Sequence, residues 1–413
     1  MKKIYIFITF ILNYFLYLYL FFRIFKKKEC PIRYKEKLCI SSQYKTNKFL
    51  IWFHCSSIGE LKSIFPIIDY YLKKNVGQIL ITTSTLGSND VFQKKYKNVN
   101  NIIHQFSPFD TPQIINKFFS RWRPDVIFFT ESEIWPNQIF KARKSNIPII
   151  LLNARISKKS FNRWKFFKTN MKNILSCFNL VICQSRESQN HFDYFKTNNI
   201  QFLGNLKLIH SEEHNSIKFF NPILSKKIIF TALSTHNGEE EICINSHINL
   251  KKKYPNLLTI IIPRHINRVM EIKTVTEKHK LNFLITDSIS NLEDDIEIMI
   301  INSYGSTLEF LEVSKYVFIG GSLVNHGGQN PIEVAYNNSI IFYGPYVYNF
   351  TEIYDYLNKE NAAYKIKSES ELTNQLNEKF NNYKNINIKE KITKIGNEVF
   401  LRTIKELDKY ITN

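Results

Sequence analysis

The first segment whose residue types suggest chemistry is Ser56-Ser57-Ile58-Gly59-Glu60, a predicted loop between the predicted strand Phe49–Phe53 and a helix predicted over Leu61–Lys74. A carboxylate at this point could act as a general base, because Gly59 lets a ligand approach the backbone closely. Ser57 and Glu60 also have the spacing of a capping box, in which Glu60 would only cap the helix. From these residues alone both interpretations stay open.

Two more segments of the amino-terminal half place charges where a predicted strand ends. Phe129–Asn137 holds Glu131 and Glu133 ahead of a helix predicted to begin at Pro136. The two acids could simply complement the dipole of that helix. Lys207 stands just before the expected linker, where a lysine that ended the last strand of this half would face the cleft. A lysine that is merely solvated is the alternative.

The loops of the carboxyl-terminal half suit a phosphate ligand. Gly320-Gly321-Ser322 ends a predicted strand, and Pro331 stands in the first turn of the next predicted helix. Such a loop should expose backbone N–H groups to an anion. Glu333, one turn inside, could accept hydrogen bonds from ribose hydroxyls. The half contains neither G-x-G-x-x-G nor a P-loop, which excludes dinucleotide oxidoreductases and P-loop NTPases.

Apolar strand-like runs alternate with helix-like ones in both halves, which predicts an α/β protein with two parallel sheets. The first half contains the predicted strands Phe49–Phe53, Gln78–Thr83, Asp125–Phe129, Ile147–Leu152 and Leu180–Gln184. The second contains Lys227–Ala232, Leu257–Ile262, Asn282–Thr286, Ile296–Ile301, Tyr316–Ile319 and Ser339–Tyr343. Ligands of doubly wound sheets bind beyond the carboxyl ends of the strands, so we expect the site in a cleft between the halves.

An apolar run from Ile4 to Phe25 is interrupted only by Thr9, Asn13 and Arg23. About 20 apolar residues span a bilayer, so this run predicts a transmembrane helix. The cluster Lys26–Lys28 follows it without a cleavage site, and the positive-inside rule then keeps the rest of the chain cytoplasmic. A buried hydrophobic helix is the alternative.

Lysine and arginine (56) outnumber aspartate and glutamate (36), for a net charge of +20 over 413 residues. This excess suits nucleic acid, acidic lipid or a phosphorylated substrate, although compositional drift in a biased genome would produce it too. The segment Lys158–Lys168 interleaves cations with aromatics, typical of an anionic membrane surface. An ordinary solvated helix face is the alternative, and a bilayer anchor argues against nucleic acid. No C-x-x-C pair occurs, the histidine pair His210 and His214 falls in the polar stretch between the two halves, and no metal site is predicted.

Six short segments of the sequence, taken in chain order, resemble segments of the 3-deoxy-D-manno-octulosonic acid (Kdo) transferases of lipopolysaccharide biosynthesis. They are SSIGE, ESEIWPN, the NAR-S-S pattern of Asn153-Ala154-Arg155-Ile156-Ser157 with Ser160, STHNGEE, PRH and GGQNPIE, spread from about residue 49 to residue 355. The resemblance implies a GT-B fold, in which two Rossmann-like doubly wound domains face a cleft. It also implies inverting transfer of Kdo from CMP-Kdo to the 6′-hydroxyl of lipid IVA, with no cofactor and no metal.

The resemblance also implies roles for individual residues. Glu60 falls where the family has its catalytic base, and Glu131 and Lys207 fall where it stabilises the transition state. The CMP-binding positions are Pro263, Arg264, Tyr304, Gly305, Ser306, Asn330, Pro331, Ile332 and Glu333. Two positions depart from the family pattern: Gln329 replaces a usual His and Ser306 a common Glu, which could weaken donor binding.

We therefore expect a membrane anchor at 1–28, an acceptor-binding Rossmann-like domain at 29–207, a linker at 208–226, a CMP-Kdo-binding Rossmann-like domain at 227–390 and a C-terminal helix at 391–413. The expected partners are CMP-Kdo, lipid IVA and inner-membrane lipids, with no nucleic acid. The expected location is the inner membrane, crossed once, with the catalytic domains on the cytoplasmic side. A GT-B transferase for another nucleotide sugar and an anchored basic binding protein with a decayed site are the alternatives.

Overall fold

The computed structural model describes residues 2–40, 45, 48–197, 199–209, 222–289, 292–303, 307–382 and 387–411. The chain forms two compact units. The first comprises Met1–Ser211 together with Ile395–Asn413, and the second comprises Glu212–Lys394.

The first unit contains a seven-stranded sheet in the order β3-β2-β1-β4-β5-β6-β7, and all neighbouring strands pair in parallel. Its strands are β1 Leu50–Cys55, β2 Gln78–Thr83, β3 Ile102–Phe106, β4 Val126–Thr130, β5 Ile149–Ala154, β6 Leu180–Cys183 and β7 Ile200–Phe202. Its helices are α1 Lys2–Leu12, α2 Leu16–Phe25, α3 Ile58–Lys74, α4 Leu86–Tyr96, α5 Pro112–Trp122, α6 Pro136–Lys144, α7 Lys158–Lys165, α8 Lys168–Leu175 and α9 Arg186–Asp193.

Both faces of this sheet are buried, as the continuous apolar strands predict. Trp52 packs into one core with Leu50, whereas Phe53 and Ile51 pack into the core on the opposite face. The alternation follows from the two-residue period of a strand.

The second unit contains another parallel sheet, in the order β10-β11-β9-β8-β12-β13-β14. Its strands are β8 Ile228–Thr235, β9 Leu257–Pro263, β10 Phe283–Thr286, β11 Ile298–Ile301, β12 Tyr316–Ile319, β13 Ile340–Tyr343 and β14 Ala363–Lys365. Its helices are α10 Glu239–Lys251, α11 Val269–Lys278, α12 Thr307–Val313, α13 Ile332–Tyr336, α14 Thr351–Lys359 and α15 Glu369–Asn381, followed by α16 Ile388–Ile411, whose residues from Ile395 onward belong to the first unit.

Two doubly wound α/β domains are therefore confirmed. The sequence analysis did not predict three of the strands. They are β3, whose sequence IIHQF contains two polar residues, and the three-residue edge strands β7 and β14. Short edge strands carry too few side chains to produce a pattern. Residues 210–221 of the expected linker lie outside the described residues, and Leu224–Lys226 form a 3-10 turn.

Helices α1 and α2, joined by a 3-10 turn at Asn13–Phe15, form a stretch that is long and apolar enough to cross a membrane. Only 6% of the most apolar 18-residue part of this stretch is buried within the protein, which argues against the alternative of a buried core helix. A narrow face nevertheless packs against the first unit, where Leu20 is buried and the Asn137 side chain donates to Thr9 Oγ1 at 3.0 Å.

Candidate functional site

Glu60 lies in the first turn of α3, half-buried at the carboxyl end of β1. Its backbone N–H donates to Ser57 Oγ, and its Oε1 accepts from the same hydroxyl at 2.9 Å. Its Oε2 accepts from the Ser56 N–H at 2.8 Å and from Thr130 Oγ1 at 3.0 Å. The helix-capping role is thus real, but capping does not explain the bond from Thr130, which lies on another strand.

Burial raises the pKa of Glu60, and the nearby charges of Glu133 and Glu131 raise it further. The hydrogen bonds from Ser56 and Ser57 favour the ionised form and oppose this rise. A carboxylate whose pKa lies above its usual value is a stronger proton acceptor, as a general base requires.

Glu133 belongs to the same network and is a site residue that the sequence analysis did not select. Its Oε2 accepts from Ser56 Oγ and from Trp135 Nε1, each at 2.6 Å, and lies 3.0 Å from His54 Nε2. Burial by itself would raise the pKa of Glu133, but these contacts outweigh it and hold the pKa below its usual value. Glu133 is therefore held in its ionised form close to Glu60. Its contacts with Ser56, Trp135 and His54 account for its position without any role in complementing the helix dipole.

Glu131 follows β4 and forms an ion pair with Lys207, whose Nζ lies 2.5 Å from Glu131 Oε1. Both side chains are largely buried. Glu131 has a φ of +49°, a left-handed conformation that non-glycine residues adopt rarely and that recurs at functional sites. Lys207 lies in a 3-10 turn capped by Asn205, whose side chain accepts its backbone N–H at 3.0 Å.

The first unit thus gathers its three predicted site residues, Glu60, Glu131 and Lys207, at one edge of the sheet. Of the additional members, Glu133 stands out in the sequence only as an acid that could complement a helix dipole, and His54 carries no local signal. His54 is fully buried inside the apolar strand β1, and its partner Glu133 is 79 residues away along the chain.

In the second unit the Gly-Gly loop differs from the expectation. The backbone N–H groups of Gly321, Ser322 and Leu323 all donate to the carboxylate of Glu239, at 2.7, 3.0 and 2.9 Å. A Cβ on Gly320 would lie 2.8 Å from Glu239 Oε2 and 2.4 Å from a backbone oxygen, so this close packing requires glycine. The prediction that these amides are open to an anion is wrong, because a buried carboxylate of the protein already binds them.

Histidine and arginine side chains instead follow β8, β9 and β12. The ring of His236 stacks on His326 with centroids 4.2 Å apart, and His265 meets it edge-on at 6.2 Å. Burial and these neighbours, together with Arg264 and Arg268, lower the pKa of His236 to about 4. The His236 Nε2 atom is buried and has no hydrogen-bond partner within the part of the chain that is described. An anion placed here would gain both charge compensation and a partner for this nitrogen.

The predicted nucleotide-binding positions surround this cluster in sequence. Pro263 ends β9, and the exposed Arg264 follows it with its N–H on the Thr235 carbonyl at 3.0 Å. Asn330 accepts the Ile332 N–H at 3.2 Å, Pro331 caps α13, and Glu333 lies in its first turn. Tyr304, Gly305 and Ser306 lie outside the described residues. Among the described residues, no three histidine, cysteine or carboxylate side chains are grouped as metal ligands.

The solved structures most like this chain include a putative UDP-N-acetylglucosamine 2-epimerase from Listeria monocytogenes, with a TM-score of 0.60 and 10% identity over 89% of this chain and 98% of that one. A glycosyltransferase from Rickettsia africae has a TM-score of 0.59 and 12% identity over 89% of this chain and all of that one. At such low identity these likenesses show the fold alone, and they confirm the GT-B fold class.

Sequence comparisons identify the family. The family model for 3-deoxy-D-manno-octulosonic-acid transferase matches residues 32–209. The Kdo transferase of Haemophilus influenzae is 27% identical over 84% of this chain and 81% of its own length. That of Rickettsia bellii is 31% identical over 91% of this chain and 90% of its own length. Because this similarity covers nearly the whole length of both proteins, the protein belongs to the Kdo transferase family of glycosyltransferases.

Proposed function

We propose that this protein transfers Kdo from CMP-Kdo to the 6′-hydroxyl of lipid IVA in lipopolysaccharide biosynthesis. The observation that carries the proposal is the setting of Glu60: a half-buried carboxylate with a raised pKa, held by Ser56 and Thr130 at the edge of the sheet. The resemblance of the surrounding segments to Kdo transferases supports the choice of donor and acceptor.

In the proposed reaction, Glu60 removes the proton from the acceptor hydroxyl while that oxygen attacks C2 of Kdo. The bond from C2 to the phosphate oxygen breaks, CMP leaves with the bonding electrons, and the anomeric centre inverts. Lys207, oriented by its ion pair with Glu131, stabilises the charge that develops in this step.

We assign CMP binding to the second unit. The leaving group carries a single phosphate, whose charge Arg264 can compensate without a divalent cation, while the unpartnered His236 Nε2 can form a hydrogen bond with a phosphate oxygen. Pro263 and the residues Asn330–Glu333 would hold the nucleoside. Tyr304–Ser306 complete the assignment by family resemblance.

The helical stretch Lys2–Phe25 would anchor the protein in the inner membrane, with both units on the cytoplasmic side. Its length and hydropathy support this, as do the three lysines that follow it. The segment Lys158–Lys168 would lie on the same membrane surface, since Phe166 and Phe167 are 86% and 48% exposed among its cations.

The direct test supplies the purified full-length protein with lipid IVA and either radiolabelled CMP-Kdo or radiolabelled UDP-sugars. We expect label in the lipid product only from CMP-Kdo. Mass spectrometry of the product then counts the Kdo residues added. Label arriving from a UDP-sugar but not from CMP-Kdo would overturn the donor assignment.

Substitution of Arg264 should weaken donor binding. Arg264→Gln removes a charge-assisted contact with the CMP phosphate, so we expect KM for CMP-Kdo to rise about 10- to 100-fold. Arg402→Gln, which alters an exposed arginine of α16, serves as the control. An unchanged KM in Arg264→Gln would remove this residue from the donor site.

The pH dependence of kcat/KM should report Glu60. Because Glu60 must be ionised to accept a proton and its pKa is raised, activity should fall on the acid side above the usual carboxylate range. Ser57→Ala deletes a hydrogen bond that favours the ionised form, so the acid limb should move to higher pH. Ser185→Ala removes an equivalent cap from α9 and should leave the limb in place. Identical profiles for the two variants would contradict the assignment of this limb to Glu60.

A further inference from the structure

A cavity of about 820 Å³ lies in the first unit, between α1, α5, α6 and α8. Its walls include Ile115, Phe140 and Ile174, together with the indoles of Trp135 and Trp164. Pockets of roughly 300–1,000 Å³ with apolar walls are the usual sites for organic ligands. None of the proposed catalytic steps uses this cavity.

The polar part of the cavity is one-sided in charge. Lys2, Lys141, Arg143 and Lys144 line it, and none of its described lining residues is a carboxylate. An apolar space with a cationic lining fits an amphiphile that joins a hydrocarbon chain to an anionic group.

One wall of the cavity connects directly to Glu60. Trp135 lines the cavity and donates its indole N–H to Glu133, which accepts the Ser56 hydroxyl as well. The Ser56 N–H binds Glu60. A short chain of hydrogen bonds at the carboxyl ends of the strands therefore links the cavity wall to the proposed base.

The opposite wall is the apolar amino-terminal helix. Tyr5 and Lys2 of α1 line the cavity, and the Tyr5 hydroxyl donates to Asp110 at 2.8 Å, which fixes α1 against the domain. The other side of α1 is exposed, with Ile4, Phe7 and Ile8 each at least half accessible. Held against the first unit in this way, α1 can lie along the bilayer surface with its exposed side among the lipids, so a lipid chain can pass from the membrane into the cavity without crossing water.

We propose that this cavity holds an acyl chain of the acceptor lipid, with an acceptor phosphate at Arg143 and Lys144. The inference rests on the proposed function, and it identifies which part of the acceptor the first unit recognises besides the hydroxyl. Acyl-chain binding would bring the sugar of the acceptor to Glu60 and would select lipid acceptors over soluble sugars.

The test fills the cavity from a position that does not support the fold. Asn173 lines the cavity on α8 and is exposed, so Asn173→Phe should fold normally while its ring occupies chain-binding space. Displacing two buried methylene groups is worth about tenfold in binding. We therefore expect KM for acylated lipid IVA to rise about tenfold, with kcat and the KM for CMP-Kdo unchanged. Asn374→Phe, at an exposed position on α15 outside the cavity lining and outside the proposed membrane surface, is the matched control.

The same variants are then assayed with a deacylated acceptor. If Asn173→Phe has the same KM for the deacylated acceptor as the wild-type protein, the result supports chain binding in the cavity. A wild-type protein that uses only the acylated acceptor supports it too, provided that Asn173→Phe raises that KM. An unchanged KM for acylated lipid IVA, or an equal loss with both acceptors, overturns the proposal while leaving Kdo transfer intact. Absence of transfer by the wild-type protein to either acceptor overturns the proposed function itself, and the cavity assignment with it.

Discussion

Glu60→Gln is expected to abolish most Kdo transfer, lowering kcat by about 10²–10⁴-fold, the usual contribution of a general base. The amide keeps the size of the side chain and one acceptor oxygen, but it cannot take the proton of the attacking hydroxyl. Donor binding should be largely kept, because the proposed CMP contacts belong to the other unit. Single-turnover assays with radiolabelled CMP-Kdo, together with calorimetric binding of CMP, measure the two quantities separately.

A matched control for Glu60 exists elsewhere in the chain. Glu371 stands three residues after the cap Ser368 of α15 and accepts the Lys367 N–H at 2.8 Å, the same local arrangement as Glu60. Glu371→Gln should cost a similar small amount of helix stability and leave transfer unchanged. Equal activity in Glu60→Gln and Glu371→Gln would reduce Glu60 to a capping residue.

Lys207→Met should both destabilise the first unit and stop transfer. The substitution leaves the Glu131 carboxylate largely buried without its counter-ion, and breaking a buried ion pair costs about 3–5 kcal/mol. Loss of a preorganised cation near the reacting atoms should also lower kcat by roughly 10²–10³-fold. Urea unfolding and steady-state kinetics on the same preparation measure both effects.

The double variant Lys207→Met/Glu131→Gln separates these roles. Removing the second charge should restore most of the lost free energy of unfolding, because no buried carboxylate remains unpaired, while activity should stay low. Lys409→Met breaks an exposed pair with Glu406 and should cost less than about 1 kcal/mol. If the double variant recovers transfer along with stability, the pair is purely structural.

Much of the architecture follows from local pattern. Strands such as β2 and β9 are buried at every residue and are mostly apolar because both faces of each sheet are covered, and this pattern can be recognised in a single sequence. The loops that carry the candidate site residues follow those strands directly. Glu60, Glu131 and Lys207 could therefore be expected to meet at the carboxyl ends, where the parallel topology places every such loop.

The amino-acid sequence by itself determined two parallel-sheet domains, the apolar amino-terminal helix and the position of the candidate base, since each of these depends on neighbours within a few residues. Only the tertiary structure decided that Glu239 accepts hydrogen bonds from the amides of a loop 82 residues away, that Glu133 pairs with His54 and that helices including α1, α5, α6 and α8 line a cationic cavity. Such pairings join residues whose separation along the chain bears no relation to their distance in space. Their energies arise from burial and charge that exist only after the chain has folded, so no local pattern encodes them.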